Sequence, residues 1–333
     1  MKALSFDDIQ LVPRYNNIPS RKDVDTSIRL GDLELRIPVF SANMDSVTGP
    51  EMAHAMHHLG GLGFLHRFSS VTENVSMYTS LEEEEAVISI GVNEGLDRFE
   101  ALYEVGARYF CVDVAHGHSK AVGDTISRMI ESHDDVFIVA GNVCTAEGAE
   151  YLADKGAQAI KVGIGPGSVC STRIKTGFGI PQFTAIQQCR HVNCLLIADG
   201  GIRTPGDAVK AFAAGADAIM IGGMLAGTDE TPGEVRHYDS GEPYKFYRGM
   251  ASKEAQDDFM GSMNEWKTAE GVEIRVAPKG PAEAVIADLM GGIRSGMTYA
   301  GANSIHQIRN RARWIEITAA GAAEARPHGQ GRL

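Results

Sequence analysis

Ala159-Ile160-Lys161-Val162-Gly163-Ile164-Gly165-Pro166-Gly167-Ser168-Val169-Cys170-Ser171-Thr172-Arg173 is the stretch on which the reading of this chain turns. A short run with the character of a fully buried strand empties into a loop of glycines and polar residues, so it delivers chemistry at the strand's C-terminal end. The unit recurs at intervals of roughly 20 to 30 residues. Runs at Ile37–Ala42, Leu62–His66, Ala86–Gly91, Tyr109–Val114, Val136–Ala140, Ala159–Val162, Leu195–Ala198 and Ala218–Ile221 each close on Gly, Asp, Asn or His. Helical patterns lie between them. In Thr204–Ala214, for example, Ala208, Ala211 and Phe212 fall on one helical face. Strands alternating with helices imply a parallel sheet, and eight such units suit an α/β fold closed into a (β/α)8 TIM barrel. A doubly wound open sheet is the structural alternative.

In a barrel the reactive end is the C-terminal rim of the strands. The polar residues hardest to explain as packing fall there: Asp45, His66, Arg67, Asp113, His116, Asn142 and Asp199. After the eighth run, residues 229–278 are charged and aperiodic, and we read them as a mobile flap. The expectation is a single catalytic domain over 1–333, with 319–333 as a loose C-terminal tail.

Composition narrows the function. A net charge of -12 excludes the broad basic surface that a general nucleic-acid or membrane-surface role needs. The first ten residues carry Asp7 and Asp8 and no long apolar run, so neither a signal peptide nor a membrane span is expected. Five cysteines without paired spacing fit a reducing, cytoplasmic setting.

Cys170 differs from the other cysteines in its polar, glycine-rich loop, where Arg173 and backbone N–H groups offer electropositive surroundings for a thiolate. Cys111 and Cys144 read as small buried hydrophobes. Asp199-Gly200-Gly201 and Gly222-Gly223 follow strands seven and eight, where barrels commonly bind phosphate, and Asp199 suits a ribose diol. Asp113 could hold a carboxamide. His116 and His118 leave a metal open, although no third ligand is evident. No G-x-G-x-x-G opens a helix after a strand, so a nicotinamide cofactor would lie across the barrel rim.

These residues resemble the IMP dehydrogenase and GMP reductase family along nearly the whole chain. The resemblance rests on Ser41-Ala42-Asn43-Met44-Asp45, Gly163–Arg173, Lys175-Thr176-Gly177, Ala198–Ile202, Ile221–Leu225 and Gly291-Gly292-Ile293-Arg294-Ser295. The tandem domain that most IMP dehydrogenases insert after strand two is missing. The flap decides between the branches. Dehydrogenases carry a longer flap with an Arg-Tyr pair that activates water, whereas here the path from Gly249-Met250 to Glu270-Gly271 is short and lacks that pair. Glu265-Trp266-Lys267-Thr268-Ala269-Glu270-Gly271 looks like the reductase form, while Thr48-Gly49-Pro50 and Ala320-Gly321 look more like the dehydrogenase.

What the resemblance implies is an NADPH-dependent reductive deamination of GMP to IMP and ammonia. Cys170 would attack the purine, and Thr172 and Glu270 would move protons. Ser168, Asp199, Gly200, Gly201, Gly222 and Gly223 would hold the phosphate and ribose. Gly249, Met250, Ala251, Lys267, Thr268, Ala269 and Gly271 would hold the base. Ser20, Arg21, Arg67, Asp113, Val114, Ala115, Ile164, Gly165 and Ser295 would meet the cofactor. A monovalent cation such as K+ would sit on Gly165, Gly167, Cys170 and Arg173. Lys267 stands where animal-type reductases have arginine, and Ala251 replaces a serine. The expected assembly is a homotetramer. The alternatives are an IMP dehydrogenase using NAD and a catalytically silent nucleotide-binding protein.

Overall fold

In a computed structural model, which describes residues 2–82, 84–261, 268–325 and 327, the eight expected strands pair in parallel, in chain order, and close on themselves. They are β1 (Val39–Ser41), β2 (Leu62–Leu65), β3 (Val87–Ile90), β4 (Tyr109–Asp113), β5 (Phe137–Val143), β6 (Ala159–Val162), β7 (Leu195–Asp199) and β8 (Ala218–Ile221). Ile219 lies opposite Val39, and that pairing of β8 with β1 seals the ring. The open-sheet alternative is thereby excluded. β1, β2, β3, β6 and β8 are buried along their whole length, which is why they read as mainly apolar runs rather than alternating ones, with Ser41, Ser89 and Lys161 as buried exceptions.

Helices α1 (Pro50–Leu59), α2 (Val71–Thr79), α3 (Asp97–Glu104), α4 (Lys120–Ser132), α5 (Ala146–Asp154), α6 (Gln182–Cys189) and α7 (Pro205–Ala214) return the chain between strands. Their starts are encoded locally. Thr204 accepts the Asp207 N–H while the Asp207 carboxylate accepts the Thr204 N–H, a capping box with Pro205 at the first helical position. The core lies within the barrel and between barrel and helices, where Phe40, Phe64, Phe99, Phe110 and Phe212 are fully buried. Each such ring stabilises the fold by about 1.5–3 kcal/mol through apolar burial.

The segment after β8 is more ordered than its composition predicts. Arg236–His237, Pro243–Arg248 and Glu273–Val276 form a three-stranded antiparallel sheet, and α8 (Lys253–Met260) follows the central strand. Lys245 is buried in it and donates to the carbonyls of Thr228 at 3.0 Å and Thr231 at 2.8 Å. A lysine satisfying loop carbonyls gives no periodic signal, so this anchor was hidden in the sequence. A long helix, α9 (Ala282–Ala300), packs against α7.

The C-terminus also departs from expectation. Trp314–Glu316 pairs with Ile9–Leu11, and Ala319–Glu324 forms a short helix capped by Thr318. Residue 326 and residues 328–333 of the expected tail lie outside the described residues. No helix among the described residues is long and apolar enough to cross a membrane.

Candidate active site

The loops that leave β6 and β7 interlock. A Cβ on Gly163, where φ is +152°, would sit 2.0 Å from the Asp199 carbonyl oxygen, so glycine is required there. This close approach carries the β6 loop across the barrel mouth and presents Cys170 to the cavity. Cys170 is exposed, whereas burial pushes the thiols of Cys111 and Cys189 up to about 12. The Cys170 Sγ–H donates to Thr172 Oγ1 at 3.2 Å.

The flap reaches this loop through its backbone. Ser171 N–H donates to the Glu270 carbonyl at 2.8 Å, and Val272 N–H donates to the Val169 carbonyl at 3.0 Å. Cys170 and Gly271 form an antiparallel bridge. Glu270 N–H in turn donates to the Ala251 carbonyl at 2.9 Å. The thiol and hydroxyl of one loop and a carboxylate residue about a hundred positions later are thus brought to one place. The cavity they share has a volume of about 1270 Å³, with Cys170, Thr172 and Glu270 on its wall.

Ser168 Oγ donates to Tyr247 Oη at 3.5 Å, and the backbone of Gly222 and Gly223 lies against this pair. Two hydroxyls beside two glycine amides form the polar cradle expected for a phosphate. Lys279 donates to the carbonyls of Gly223 at 2.9 Å and Met224 at 3.0 Å, bracing the same loop.

A charged network runs beneath the cavity. Lys161 is 2% exposed and pairs with Asp113 at 2.9 Å and Asp199 at 3.2 Å, and it donates to Asn43 at 3.1 Å. Burial alone would discharge this lysine, but the two carboxylates outweigh it and hold its pKa above the usual range. Burial likewise pushes the Asp113 carboxyl up, and Lys161 with Arg67 reverses that, leaving it below its ordinary value. Asn142 donates to Asp199 Oδ2 at 2.8 Å, while Asn142 Oδ1 is buried without a partner. An orphaned acceptor beside Asp113 fits a ligand that brings amide N–H donors.

Beside the cavity, in a second pocket, Arg248 grips Asp45 with two nitrogens, at 2.6 and 3.0 Å, and reaches Asp258 at 2.6 Å. Phe259 of α8 meets Phe68 edge-on at 5.6 Å. These contacts seat the flap helix on the β1 and β2 loops.

The cavity wall brings together Ser168, Asp199, Gly200, Gly201, Gly222 and Gly223 with Gly249, Met250, Ala251, Thr268 and Gly271. It also includes Arg67, Asp113, Val114, Ala115, Ile164, Gly165 and Gly167. Ala269 lies between two lining residues without lining, and Lys267 is outside the described residues.

Three cofactor candidates fall elsewhere. Ser20 accepts the Lys22 N–H and caps the turn Arg21–Asp23, which packs on α9, the helix that carries Ser295. Within one chain, Ser20, Arg21 and Ser295 therefore gather apart from the cavity. Arg173 also lines the cavity. Its guanidinium donates to the carbonyls of Ile164 at 3.2 Å and Ile180 at 2.6 Å, and its own carbonyl accepts the Gly177 N–H at 3.1 Å. A fixed guanidinium within the loop stiffens it. Sequence reasoning missed Lys161, Tyr247 and Lys279; for Lys161 the one available signal was a lysine inside an apolar strand.

The family model described as IMP dehydrogenase / GMP reductase domain matches residues 3–328. The chain belongs to that family. It is 31% identical to the inosine-5'-monophosphate dehydrogenase of Nitrosopumilus maritimus, with 98% of each chain covered. That alignment runs over 473 residues, so the archaeal relative carries segments that the 333-residue chain lacks. Among solved structures, an inosine 5' monophosphate dehydrogenase from Legionella pneumophila is 51% identical, with TM-score 0.87, covering 96% of this chain and 100% of that one. A GMP reductase variant from Trypanosoma brucei, in complex with guanosine 5'-monophosphate, is 30% identical with TM-score 0.92, covering 99% and 98%. The family's members are oxidoreductases that act on a purine nucleoside monophosphate with a nicotinamide cofactor, a chemistry for which the cavity has the matching parts.

Proposed function

We propose that the chain is a GMP reductase that deaminates GMP to IMP and ammonia with NADPH as the reductant. The observation that carries this reading is the flap wall of the cavity. Gly249, Met250, Ala251, Gln256, Thr268, Glu270 and Gly271 contribute one carboxylate and no guanidinium, and the phenol of Tyr247 on the same wall faces Ser168. The whole span 249–272 contains neither arginine nor tyrosine. Arg248 beside it is engaged by Asp45 and Asp258, and Arg275 lies over the rings of Tyr244 and Tyr238 at 4.8 and 5.2 Å. A dehydrogenase must activate water to hydrolyse its covalent intermediate, and this wall supplies no Arg-Tyr pair for that step.

In the proposed reaction the Cys170 sulfur forms a bond to C2 of the purine. Thr172 and Glu270 relay a proton to the exocyclic amine, the C2–N bond breaks, and ammonia leaves with the electron pair, giving a thioimidate on Cys170. The nicotinamide, when bound, supplies a hydride to C2; the C–S bond then breaks and the sulfur recovers as thiol. Asp113 and Asn142 orient the carboxamide end of the cofactor. Ser168, Tyr247 and the glycine amides hold the nucleotide phosphate, and Asp199 the ribose. Carbonyls of Gly165, Gly167 and Cys170 would hold a potassium ion that steadies the loop, and a homotetramer in the cytoplasm is the assembly we propose.

The names of the relatives favour a second reading, an IMP dehydrogenase with a short flap. Product analysis separates the two. Incubation with GMP and NADPH is expected to yield IMP and ammonia in equal amounts, and incubation with IMP and NAD to yield no xanthosine monophosphate. The opposite pattern overturns the proposal.

A further inference from the structure

At the end of the barrel opposite the cavity, helix α1 and the turn before β3 bring three metal-type ligands together. His54 and His58 are four residues apart and share one face of α1. Glu84 follows a turn in which Glu82 takes a left-handed φ of 56°, and it faces both rings. Glu84 Oε1 lies 2.8 Å from His54 Nδ1 and 3.2 Å from His58 Nε2. The three ligand atoms all lie within 4.8 Å of one another.

We propose that His54, His58 and Glu84 form a site for a divalent transition ion of the Zn2+ class. The spacing is the argument. Around a tetrahedral zinc with bonds of about 2.0–2.2 Å, ligand atoms sit about 3.3 Å apart. The Glu84–His58 separation of 3.2 Å matches that edge and the Glu84–His54 separation of 2.8 Å is about half an ångström shorter, so an ion enters once the side chains rotate to open that pair. Two imidazoles and one carboxylate suit zinc and its neighbours rather than magnesium or calcium, which prefer all-oxygen shells. Glu84 has 18% of its side chain exposed, whereas His54 and His58 are 60% and 62% exposed and meet edge-on at 4.3 Å. The fourth position opens to solvent. An ion there would clamp α1 to the chain entering β3, on the face away from Cys170, and so act on stability rather than on the reaction.

The test uses the full chain in a Cys170→Ser background, which removes the exposed thiol as a competing ligand, after treatment with a chelator. Titration with ZnCl2 is expected to show one saturable equivalent and a rise in thermal midpoint. His58→Ala and Glu84→Gln should each weaken binding by about 10-fold or more and lose that rise. His57→Ala, a neighbour outside the trio, should retain both. Circular dichroism without metal checks that the variants fold; if one does not, the other decides. Equal zinc binding in the parent and both variants, or no saturable equivalent in the parent, overturns the proposal.

Discussion

The backbone N–H of Ser171 donates to the carbonyl of Glu270 over 2.8 Å, and with the Val272 to Val169 bond it ties the nucleophile's loop to the flap. It makes the position of the acid depend on the backbone of the segment that carries the thiol. In the proposed reaction, seating of the flap on this loop therefore sets where Glu270 stands relative to Cys170.

Removal of either proton-handling group tests that arrangement. Thr172→Val and Glu270→Gln are each expected to lower kcat by about 10²–10⁴-fold with little change in KM for the nucleotide. The double variant should lose less than the product of the two, because the groups act as a unit. Steady-state kinetics with GMP and NADPH read this directly; additive losses would mean that the two act separately.

Gly163→Ala puts a methyl group 2.0 Å from the Asp199 carbonyl, which must move. The expected cost is about 3 kcal/mol of stability together with weakened nucleotide binding. Gly177→Ala is the control: φ there is +78° but nothing lies within 4 Å of the added carbon, so the cost is about 1–2 kcal/mol from backbone conformation alone. Urea unfolding compares them.

Lys161→Met leaves Asp113 and Asp199 facing each other without their cation. Breaking such a buried pair is expected to cost about 3–5 kcal/mol at neutral pH. Because the folded Asp113 carboxyl is held below its ordinary value, its contribution is present above that value and fades as pH falls through the folded pKa. The stability gap between parent and variant should therefore be full at about pH 7 and smaller at about pH 3. Urea unfolding at the two values checks this; a gap that widens in acid contradicts it.

His66 is 8% exposed, and burial holds its imidazole below the usual value against the pull of Asp45. The unfolded chain then binds a proton that the folded chain refuses as pH falls below about 6.5, so folding weakens there. His66→Gln should flatten that part of the stability curve while leaving the curve above about pH 7 parallel to the parent's.

How far the sequence revealed this molecule follows from what each residue must satisfy. The barrel strands were legible because burial on both faces forces an unbroken apolar run, as in Ala218–Ile221, and Thr204-Pro205 announced its helix by local hydrogen bonding. Cys170 was legible because its loop is polar and rich in glycine. Lys161 was not, since its partners Asp113 and Asp199 lie on other strands and only closure of the barrel brings them within 3.2 Å. Lys245 was hidden for the same reason: its partners are backbone carbonyls, which leave no mark in a sequence. Ser20, Arg21 and Ser295 came from resemblance alone, and within one chain none of them lines the cavity.

The covalent role of Cys170 is tested most directly by following loss of NADPH absorbance and release of ammonia with GMP, for the parent and for Cys170→Ser. The account predicts equal NADPH loss and ammonia in the parent, and in the variant a fall in turnover of about 10³-fold or more, with the nucleotide still bound. Turnover in the serine variant equal to that of the parent would contradict it.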